Sequence, residues 1–303
     1  MNTIGIIGLG KMGYNLAFNL NDKGYNVSGL DTSKDARDFV QKQGIRTHEN
    51  LKDFINGLGE QKVVWVMLPS WEATENTLTE LLEILTQGSI VIEGGNSNYK
   101  DSIRRGDMFY EANIGYLDCG TSGGTSGARN GACLMVGGKK DTFDQVEHIF
   151  ESISGRDAYL YTGQCGSGHF LKMVHNGIEY GMMQAIGEGF HLLKESEFGY
   201  DLEKVAHVFN NGSVVRSWLM ELAENLFKES PALSEYKDVV FASGEGQWTV
   251  EAALERNIAV PVIAMSVMLR SLSQDNDIFS NKMLAGLRNQ FGGHSFERKS
   301  ELS

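Results

Sequence analysis

The sequence predicts an α/β domain with a mostly parallel sheet, followed by an all-α domain. A chain of 303 residues is long enough for about two domains. Short apolar runs alternate with helical patterns up to about residue 163, and this alternation is typical of a parallel sheet covered by helices on both faces. Beyond that point strand patterns disappear and apolar residues recur every three or four positions, as in helices. We therefore expect two domains, at 1–163 and 164–303.

The individual elements follow from the spacing of the apolar residues. Strands are predicted where a short apolar run ends at glycine or a polar residue, at 3–8, 26–31, 62–68, 89–93, 116–119, 132–137 and 158–161. Helices are predicted between them at 11–23, 33–43, 71–85, 101–112 and 141–153. The second domain is predicted to contain helices at 166–195, 202–210, 214–227, 247–256, 260–274 and 281–290.

Composition narrows the class of protein. The formal net charge of −12 is unfavourable for a nucleic-acid surface, because phosphate contacts need clustered Lys and Arg. The longest apolar runs, at 63–68 and 260–269, are shorter than the ~20 residues that span a bilayer, and the N-terminus carries no basic, cleavable leader pattern. The 3 cysteines have no metal-type spacing. We expect a cytoplasmic protein with reduced cysteines, no metal site, and no nucleic-acid or membrane partner.

A GxGxxG motif joins the first predicted strand to the first predicted helix. It consists of Gly8, Leu9, Gly10, Lys11, Met12 and Gly13. Gly8 would form the tight turn, Gly10 would admit the pyrophosphate of a dinucleotide, and Gly13 would let helix and strand pack closely. Free N–H groups at the helix N-terminus favour bound phosphate. The motif therefore predicts a Rossmann-type NAD(P)-binding domain, with these six residues at the cofactor.

Asp31 and two later strand ends are further candidates for cofactor contacts. Asp31 follows the motif by about the 20 residues expected for an acid that accepts the ribose hydroxyls and repels a 2′-phosphate. The other interpretation of Asp31 is an N-cap for the helix that begins near Ser33. Because the first basic residue after Asp31 is Lys34, NAD is favoured over NADP. Leu68 and Asn96 end later strands, where such sheets bind ligands. Asn96 would contact the nicotinamide or the substrate, unless its segment is a plain glycine-rich turn.

One helical pattern carries a stripe of reactive side chains. Lys172, Asn176 and Glu179 lie at positions i, i+4 and i+7, and His175 lies beside them at i+3. An exposed Lys–Glu face is the ordinary interpretation of such spacing. The rest of the segment is mostly apolar, however, and a charged residue in an apolar helix needs a partner or a ligand. We therefore hypothesise that these four residues form the catalytic group.

A second glycine-rich segment, Ser122, Gly123 and Gly124, follows a predicted strand. Its backbone N–H groups and the serine hydroxyl could bind a carboxylate, as a phosphate loop binds phosphate. A structural turn is the alternative that composition favours.

Together these motifs resemble those of the decarboxylating 6-phosphogluconate dehydrogenases, in their short form, within the β-hydroxyacid dehydrogenase superfamily. The resemblance extends over most of the chain. It rests on GLGKMG (8–13), GGNS (94–97), SGGTSGAR (122–129), GHFLKMVHNGIEYG (168–181), GEGQWT (244–249), VPVI (260–263) and FGGH (291–294). The segment 168–181 is the most specific of these.

The resemblance implies an activity in pentose phosphate and gluconate metabolism, and a role for each matching residue. The enzyme would convert 6-phosphogluconate into ribulose 5-phosphate and CO2 while NAD, or less favourably NADP, is reduced. Lys172 would act as general base on the 3-hydroxyl and Glu179 would protonate C1 of the enediol, by a route that needs no metal. The other residues would bind this small anionic sugar acid. Its sugar-acid part would contact Asn96, Ser122, Gly123, Gly124, His175, Asn176 and Glu179. Its phosphate would contact Tyr180, Gln247, Thr249, Arg270 and Arg288. His294 would close the site.

Two departures from the long form of the family affect the substrate site. The long enzymes carry a lysine in a GKWT motif where this chain has Gln247, so one positive charge near the phosphate is missing. Most of the long form's extended helical region is also missing, but the tail from Arg288 to His294 is retained. In the family this tail reaches into a neighbouring subunit's active site, which implies a homodimer at least, or a tetramer. For Arg270, a surface ion pair is the alternative to phosphate binding.

Other functions remain open from the residues alone. A relative acting on another β-hydroxy acid, such as 3-hydroxyisobutyrate, would share the dinucleotide fold, the SGG loop and the lysine, and unphosphorylated gluconate would suit a site with Gln247. The pair His175–Asn176 with Glu179–Tyr180 favours the phosphogluconate reaction, because a plain oxidation has no enediol to protonate. A catalytically silent NAD-binding sensor is a different class, against which the acid–base pair argues.

Overall fold

A single sheet organises the first part of the chain. In the computed structural model, which describes residues 3–275, 278–279, 282–283 and 290, its strands are β1 (Thr3–Ile7), β2 (Asn26–Leu30), β3 (Arg46–His48), β4 (Val63–Val66), β5 (Ile90–Glu93), β6 (Gly115–Ser122), β7 (Ala132–Gly138) and β8 (Ser154–Gly163). Their order across the sheet is β3-β2-β1-β4-β5-β6-β7-β8. Neighbours pair in parallel, except that β6 and β7 are antiparallel. The prediction of a mostly parallel sheet is confirmed.

Helices alternate with these strands, as the parallel connections require. They are α1 (Lys11–Asp22), α2 (Lys34–Gln41), α3 (Leu51–Gly57), α4 (Glu72–Ile84), α5 (Tyr99–Glu111), α6 (Gly124–Asn130) and α7 (Lys140–Ile153). Several begin at a polar cap: Ser33, Asn50 and Asn98 each accept a backbone N–H of the first turn. A cap of this kind satisfies a donor that has no partner within the helix.

The helices bury both faces of the sheet. Val63 and Trp65 of β4 pack in one apolar cluster, whereas Val64 and Val66 pack in another, because successive side chains of a strand point to opposite faces. All four residues are at most 1% exposed. This is why continuous apolar runs, rather than alternating ones, mark the central strands in the sequence.

Several elements differ from the prediction. β3 and α3 fall in a segment without predicted structure, because a three-residue strand in which only His48 is buried has no apolar pattern. α6 begins at the second glycine of the SGG segment, whose composition indicated only a turn. β6 continues to Ser122 rather than ending at residue 119, so this serine lies at the carboxyl end of a strand.

The remaining helices are α8 (Ser167–Lys194), α9 (Leu202–Asn210), α10 (Trp218–Glu229), α11 (Glu245–Glu255) and α12 (Pro261–Ser273). They confirm the predicted helical C-terminal region. α10 begins at Trp218 rather than at residue 214, because Ser217 accepts the N–H of Met220 and caps the helix there. The helix predicted at 281–290 lies mostly outside the described residues.

The chain divides into two compact units, one ending at Gly177 and the other beginning at Ile178, within α8. In the second unit, Phe190, Met220 and Phe227 belong to a small apolar core. Among the described residues, the helices include none with the length and apolarity that crossing a membrane requires.

Candidate active site

The GxGxxG motif forms the turn between β1 and α1, and its three glycines meet different physical requirements. Gly8 has φ +92°, and a Cβ on it would lie 2.5 Å from the carbonyl oxygen of Met67. A Cβ on Gly13 would lie 1.8 Å from the carbonyl oxygen of Gly8. Gly10, by contrast, is exposed, and a Cβ on it would meet nothing within 4 Å. Two glycines therefore close the turn, and the third leaves open backbone where a pyrophosphate can approach.

The N-terminus of α1 suits an anion. Gly10 is the N-cap, and no side chain caps the helix. In the first turn Lys11 is exposed and Met12 is half-buried, while the preceding Leu9 is buried. Uncapped N–H groups and the helix dipole both favour a bound phosphate, so these residues fit the diphosphate of a dinucleotide.

Asp31 lines a cavity of about 280 Å³ beside the motif. Leu68, the predicted cofactor contact at the end of the next strand, lines the same cavity. So do Glu49, Thr77 and Glu80, which the sequence did not indicate because they lie outside the strand ends and the motif. Three acidic residues, Asp31, Glu49 and Glu80, therefore line the cavity.

Two backbone N–H groups hold the carboxylate of Asp31. Leu9 donates to Oδ2 and Ser33 donates to Oδ1, each at 2.7 Å. Ser33 is the N-cap of α2, since its hydroxyl oxygen accepts the N–H of Ala36 at 3.3 Å. The alternative interpretation of Asp31 as the N-cap is therefore wrong. A carboxylate fixed in this way at the wall of the cavity can accept ribose hydroxyls.

Arg37 is a basic residue near this cavity that the sequence analysis missed. Its Nη1 donates to the main-chain oxygens of Asp31 at 2.8 Å and of Thr32 at 3.0 Å. Its Nη2 lies 3.6 Å from Oε2 of Glu49, and its side chain is only 12% exposed. The guanidinium is therefore engaged by protein acceptors. Its place one turn into α2 was the signal that could have revealed it.

Asn96 lies in the turn after β5 and has φ +53°, a left-handed conformation that asparagine adopts more readily than most residues. Its Oδ1 accepts the backbone N–H of Thr121 at 3.3 Å, next to Ser122 at the end of β6. The preceding Gly95 passes so close to Leu68 that a Cβ on it would lie 2.6 Å from that residue's carbonyl oxygen. The turn therefore places Asn96 between the cavity and the SGG segment.

Glycines let the start of α8 lie directly against β6 and β7. A Cβ on Gly120 would lie 2.3 Å from the Cβ of Lys172, and one on Gly168 would lie 2.4 Å from the carbonyl oxygen of Met135. Real Cβ atoms do not approach this closely, because nonbonded carbons rest at about 3.5–4.0 Å. The position of Lys172 therefore depends on the absence of a side chain at residue 120.

Asp118 fixes the same helix electrostatically. It is fully buried, and its carboxylate accepts the N–H groups of Gly166 at 2.6 Å and of His169 at 2.8 Å. These donors at the N-terminus of α8 have no partner within the helix, and a negative charge there also stabilises the helix dipole. Asp118 was not among the predicted site residues, although an acid inside an apolar strand is a recognisable signal.

Lys172 is the centre of a hydrogen-bonded cluster. It is only 5% exposed, and its Nζ donates to Oδ1 of Asn176 at 2.6 Å and lies 3.5 Å from Nδ1 of His175. Nδ1 of His175 is 3.0 Å from Oδ1 of Asn176, and Nε2 is 3.1 Å from Oγ of Ser122. Because an amide oxygen only accepts, Nδ1 is the donor in its contact with Asn176. The interpretation of this stripe as an exposed face is wrong at Lys172 and Asn176, which are both buried.

The SGG segment joins β6 to α6. Gly123 and Gly124 have φ +103° and +58°, values that residues with a side chain rarely adopt. Gly123 is the N-cap of α6, and a Cβ on it would lie 3.1 Å from the Cα of Gly127. The glycines thus turn the chain immediately after Ser122, whose hydroxyl faces His175.

In the second unit, Tyr180 and Arg270 form a stacked pair. The guanidinium carbon of Arg270 lies 3.4 Å from the centre of the Tyr180 ring, within the range of a cation–π contact. Arg270 also donates from Nη1 to the main-chain oxygen of Phe241 at 3.3 Å. These contacts differ from the surface ion pair considered for Arg270. Glu179, next to Tyr180 on α8, is half-buried.

Gln247 and Thr249 occupy different faces of α11. Thr249 is 5% exposed and its Oγ1 donates to the main-chain oxygen of Glu245 at 2.8 Å. Gln247 is exposed, and its Nε2 donates to Oε1 of Glu251 at 2.8 Å. The predicted tail contacts Arg288 and His294 lie outside the described residues.

The remaining groups that could carry metal or thiol chemistry are few. Within the described part of the chain, no set of three or more His, Cys, Asp or Glu side chains is arranged to hold a metal ion. Cys119, Cys133 and Cys165 are free thiols, and burial raises the pKa of both Cys119 and Cys165.

A sheet with a dinucleotide motif, followed by helices that begin beside a buried lysine, is typical of the NAD-binding dehydrogenases. Residues 3–164 match the family model for the NAD binding domain of 6-phosphogluconate dehydrogenase, and residues 168–278 match the model for the C-terminal domain of 6-phosphogluconate dehydrogenase. The chain belongs to the 6-phosphogluconate dehydrogenase family. The resemblance found in the motifs is therefore confirmed.

Individual relatives agree with this assignment. The chain is 50% identical to YqeC of Bacillus subtilis (strain 168), which is named only provisionally as a 6-phosphogluconate dehydrogenase, over 98% of this chain and 99% of that one. It is 41% identical to the NAD(+)-dependent, decarboxylating 6-phosphogluconate dehydrogenase of Haloferax volcanii, again over 98% and 99%. The solved 6-phosphogluconate dehydrogenase of Plasmodium falciparum has a TM-score of 0.82 at 30% identity, covering 99% of this chain and 67% of that one.

Proposed function

We propose that this protein catalyses the oxidative decarboxylation of 6-phosphogluconate to ribulose 5-phosphate and CO2, with reduction of NAD. The observation that carries the proposal is the buried Lys172, hydrogen-bonded to Asn176 and close to His175, in a chain of this family. The Haloferax volcanii relative is named for this activity with NAD, and the Plasmodium falciparum structure was determined with 6-phosphogluconate as its substrate.

Lys172 acts first as a base in this mechanism. A bound nicotinamide would supply the hydride acceptor for C3 of the substrate. Nζ of Lys172 takes the proton of the 3-hydroxyl as the hydride leaves C3, which requires the amine in its neutral form. The product of this step is a 3-keto acid.

Lys172 then acts as an acid. Its ammonium donates to the new ketone oxygen, which accepts electrons as the C1–C2 bond breaks and CO2 leaves. The product is an enediol, and Glu179, two turns further along α8, delivers a proton to its C1 to give ribulose 5-phosphate. Asn176 holds Lys172 throughout, because its Oδ1 accepts from Nζ.

The remaining family positions bind the substrate in this proposal. The sugar acid contacts Asn96, Ser122, Gly123, Gly124, His175 and Asn176. Tyr180, Thr249, Arg270 and Arg288 contact the phosphate, with His294 closing the site. The stack of Arg270 on Tyr180 supports this assignment, since it holds the guanidinium in one orientation before an anion arrives. Gln247 is engaged by Glu251 on an exposed face, so we expect it to contribute little to phosphate binding.

The cofactor preference for NAD over NADP is part of the proposal. Three carboxylates, those of Asp31, Glu49 and Glu80, line the cavity beside the motif, and each would repel a 2′-phosphate. Arg37 is the cation placed to oppose them, but it donates to main-chain oxygens and pairs with Glu49.

We also propose a homodimer or larger homo-oligomer, a cytoplasmic location, and a functional boundary near residues 163–164. One face of α12 supports the oligomer: Val262, Met265 and Met268 recur every third residue and are 68%, 57% and 62% exposed. Exposed apolar stripes of this kind are usual at subunit contacts. Phosphorylated sugar acids do not cross membranes unaided, which supports the location.

One assay tests the function directly. NADH formation is measured with 6-phosphogluconate, gluconate and 3-hydroxyisobutyrate, and CO2 is measured in parallel. We expect turnover and equal amounts of NADH and CO2 with 6-phosphogluconate. NADH without CO2, or turnover with 3-hydroxyisobutyrate alone, would contradict the proposal. A preference for gluconate would indicate that the substrate specificity changed when Gln247 took the place of the lysine found in the long enzymes.

A further inference from the structure

We propose that Glu93 is a positioning residue that holds Asn96 in its binding conformation. Glu93 ends β5 and is 0% exposed, yet none of the mechanistic steps uses it. The inference rests on the proposed function of Asn96 as a contact for the cofactor and the substrate. Glu93 touches neither ligand in this proposal and acts by holding the residues on either side of Asn96.

One oxygen of Glu93 brackets Asn96 on both sides. Oε1 accepts the backbone N–H of Gly95 at 3.0 Å and the hydroxyl of Ser97 at 3.0 Å. The residue between these two donors is Asn96, whose φ of +53° is sparsely populated and persists only where neighbouring contacts impose it. A single carboxylate oxygen therefore holds the backbone of the residue before the left-handed residue and the side chain of the residue after it.

The other oxygen of Glu93 is held by a buried polar cluster. Oε2 lies 3.3 Å from the hydroxyl of Tyr116, 3.5 Å from Nη1 of Arg105 and 3.5 Å from Nδ1 of His169. Arg105 also donates from Nη1 to Oγ of Ser97 at 3.0 Å. Burial opposes the charge on Arg105, but Glu93, Tyr116 and Glu75 together more than offset it, and the pKa of Arg105 is raised. A buried carboxylate with these partners cannot relax into water, so the loop attached to it is held rigidly.

Asn96 connects the loop held by Glu93 to the strand that carries Ser122. Its Oδ1 accepts the N–H of Thr121, the residue before Ser122. His169, which contacts Glu93, precedes Lys172 by one turn of α8. Glu93 thus fixes the loop that carries Asn96 relative to the two elements that carry Ser122 and Lys172.

A double-mutant cycle of Glu93→Gln and Asn96→Ala tests whether Glu93 acts through Asn96. The readouts are the Kd for NAD, kcat/KM for 6-phosphogluconate, and the unfolding temperature. We expect each single variant to lose about tenfold in kcat/KM or in NAD affinity, the scale of one buried hydrogen bond. The double variant should lose no more than Asn96→Ala alone, since Glu93 would have nothing left to position.

A merely structural role gives a different result. The unfolding temperature should fall with Glu93→Gln in both backgrounds, because the buried cluster is disturbed in each. If the losses in NAD affinity and kcat/KM instead multiply in the double variant, or if Asn96→Ala has no effect on either, the proposal is overturned. Should Glu93→Gln fail to fold, Ser97→Ala takes its place in the cycle, since it removes one donor to Oε1 while retaining both buried charges.

Glu75→Gln is the matched control. Oε2 of Glu75 pairs with the same Arg105, at 2.9 Å from Nε, but from α4 and at a partly exposed position. We expect it to lower stability without the loss in NAD affinity or kcat/KM, and an equal loss would overturn the specific role of Glu93. If wild-type protein does not turn over 6-phosphogluconate, the proposed function fails, whereas the NAD-affinity cycle still decides the role of Glu93.

Discussion

Gly120→Ala isolates the contact that places Lys172 on the sheet. The added Cβ would lie 2.3 Å from the Cβ of Lys172 and 3.0 Å from its Cγ. Nonbonded carbons rest at about 3.5–4.0 Å, so one of the two elements must move by at least about 1 Å. The carbonyl oxygen of Gly168, also on α8, lies 3.1 Å away, so the added Cβ displaces α8 relative to β6.

A shift of this size has a predictable effect on the rate. Displacing a reacting group by about 1 Å lowers the rate by on the order of 10²-fold, and overpacking a buried site costs about 1–3 kcal/mol of stability. We therefore expect Gly120→Ala to lower kcat by about 100-fold with a moderate fall in unfolding temperature. NAD affinity should be unchanged, because the dinucleotide motif lies on β1 and α1.

The assay is steady-state NADH formation with 6-phosphogluconate, together with an NAD titration and thermal unfolding. Gly59→Ala is the control, since a Cβ at Gly59 would meet nothing within 4 Å, and it should leave all three quantities unchanged. A kcat for Gly120→Ala close to that of the wild type would refute the claim that close packing on β6 determines the position of Lys172.

Four further predictions concern the proposed roles of single residues. Lys172→Met should abolish oxidation and retain NAD binding; turnover above about a tenth of wild type would contradict its role, because general acid–base groups contribute about 10²–10⁴-fold. Glu179→Gln should slow product formation, and unchanged rates of CO2 and product formation would leave it only a binding role. Asp31→Ser with Thr32→Arg should shift the ratio of kcat/KM values from NAD towards NADP, and an unchanged ratio would argue against the ribose contact. Arg288→Ala should raise KM for 6-phosphogluconate far more than for NAD. In a mixture of the Arg288→Ala and Lys172→Met proteins, subunit exchange should restore activity if each C-terminal tail reaches the partner subunit's active site. Subunit exchange that restores no activity would reject a shared site.

Local sequence patterns predicted the elements that are long, periodic or clearly bounded. β1 and α1 were predictable because a buried apolar run ends at Gly8 and a helical pattern starts after Gly10. The stripe of Lys172, Asn176 and Glu179 was visible because an α-helix returns to the same face every three or four residues. β3 was not predictable, since its three residues carry no pattern that exceeds chance, and its pairing with β2 is decided by the neighbouring strand.

The candidate site shows the same division. Residue type and spacing indicated the dinucleotide motif, Asp31 and the stripe on α8, and left alternatives open for Asp31 and the stripe. Which alternative holds depended on contacts between residues far apart in the chain. Ser33, rather than Asp31, caps α2, and Asp31 lines the cavity. Oγ of Ser122 lies 3.1 Å from Nε2 of His175.

The sequence by itself determined the α/β and helical regions, the GxGxxG turn and the family, because each depends on the order of nearby residues. Only the tertiary structure decided how Lys172 is held. Asp118 and Gly120 lie on β6, and their effect on α8 depends on close distances that arise only when the helix packs against this strand. Spacing along a chain specifies which side chains share a face, but not which distant backbone that face will meet.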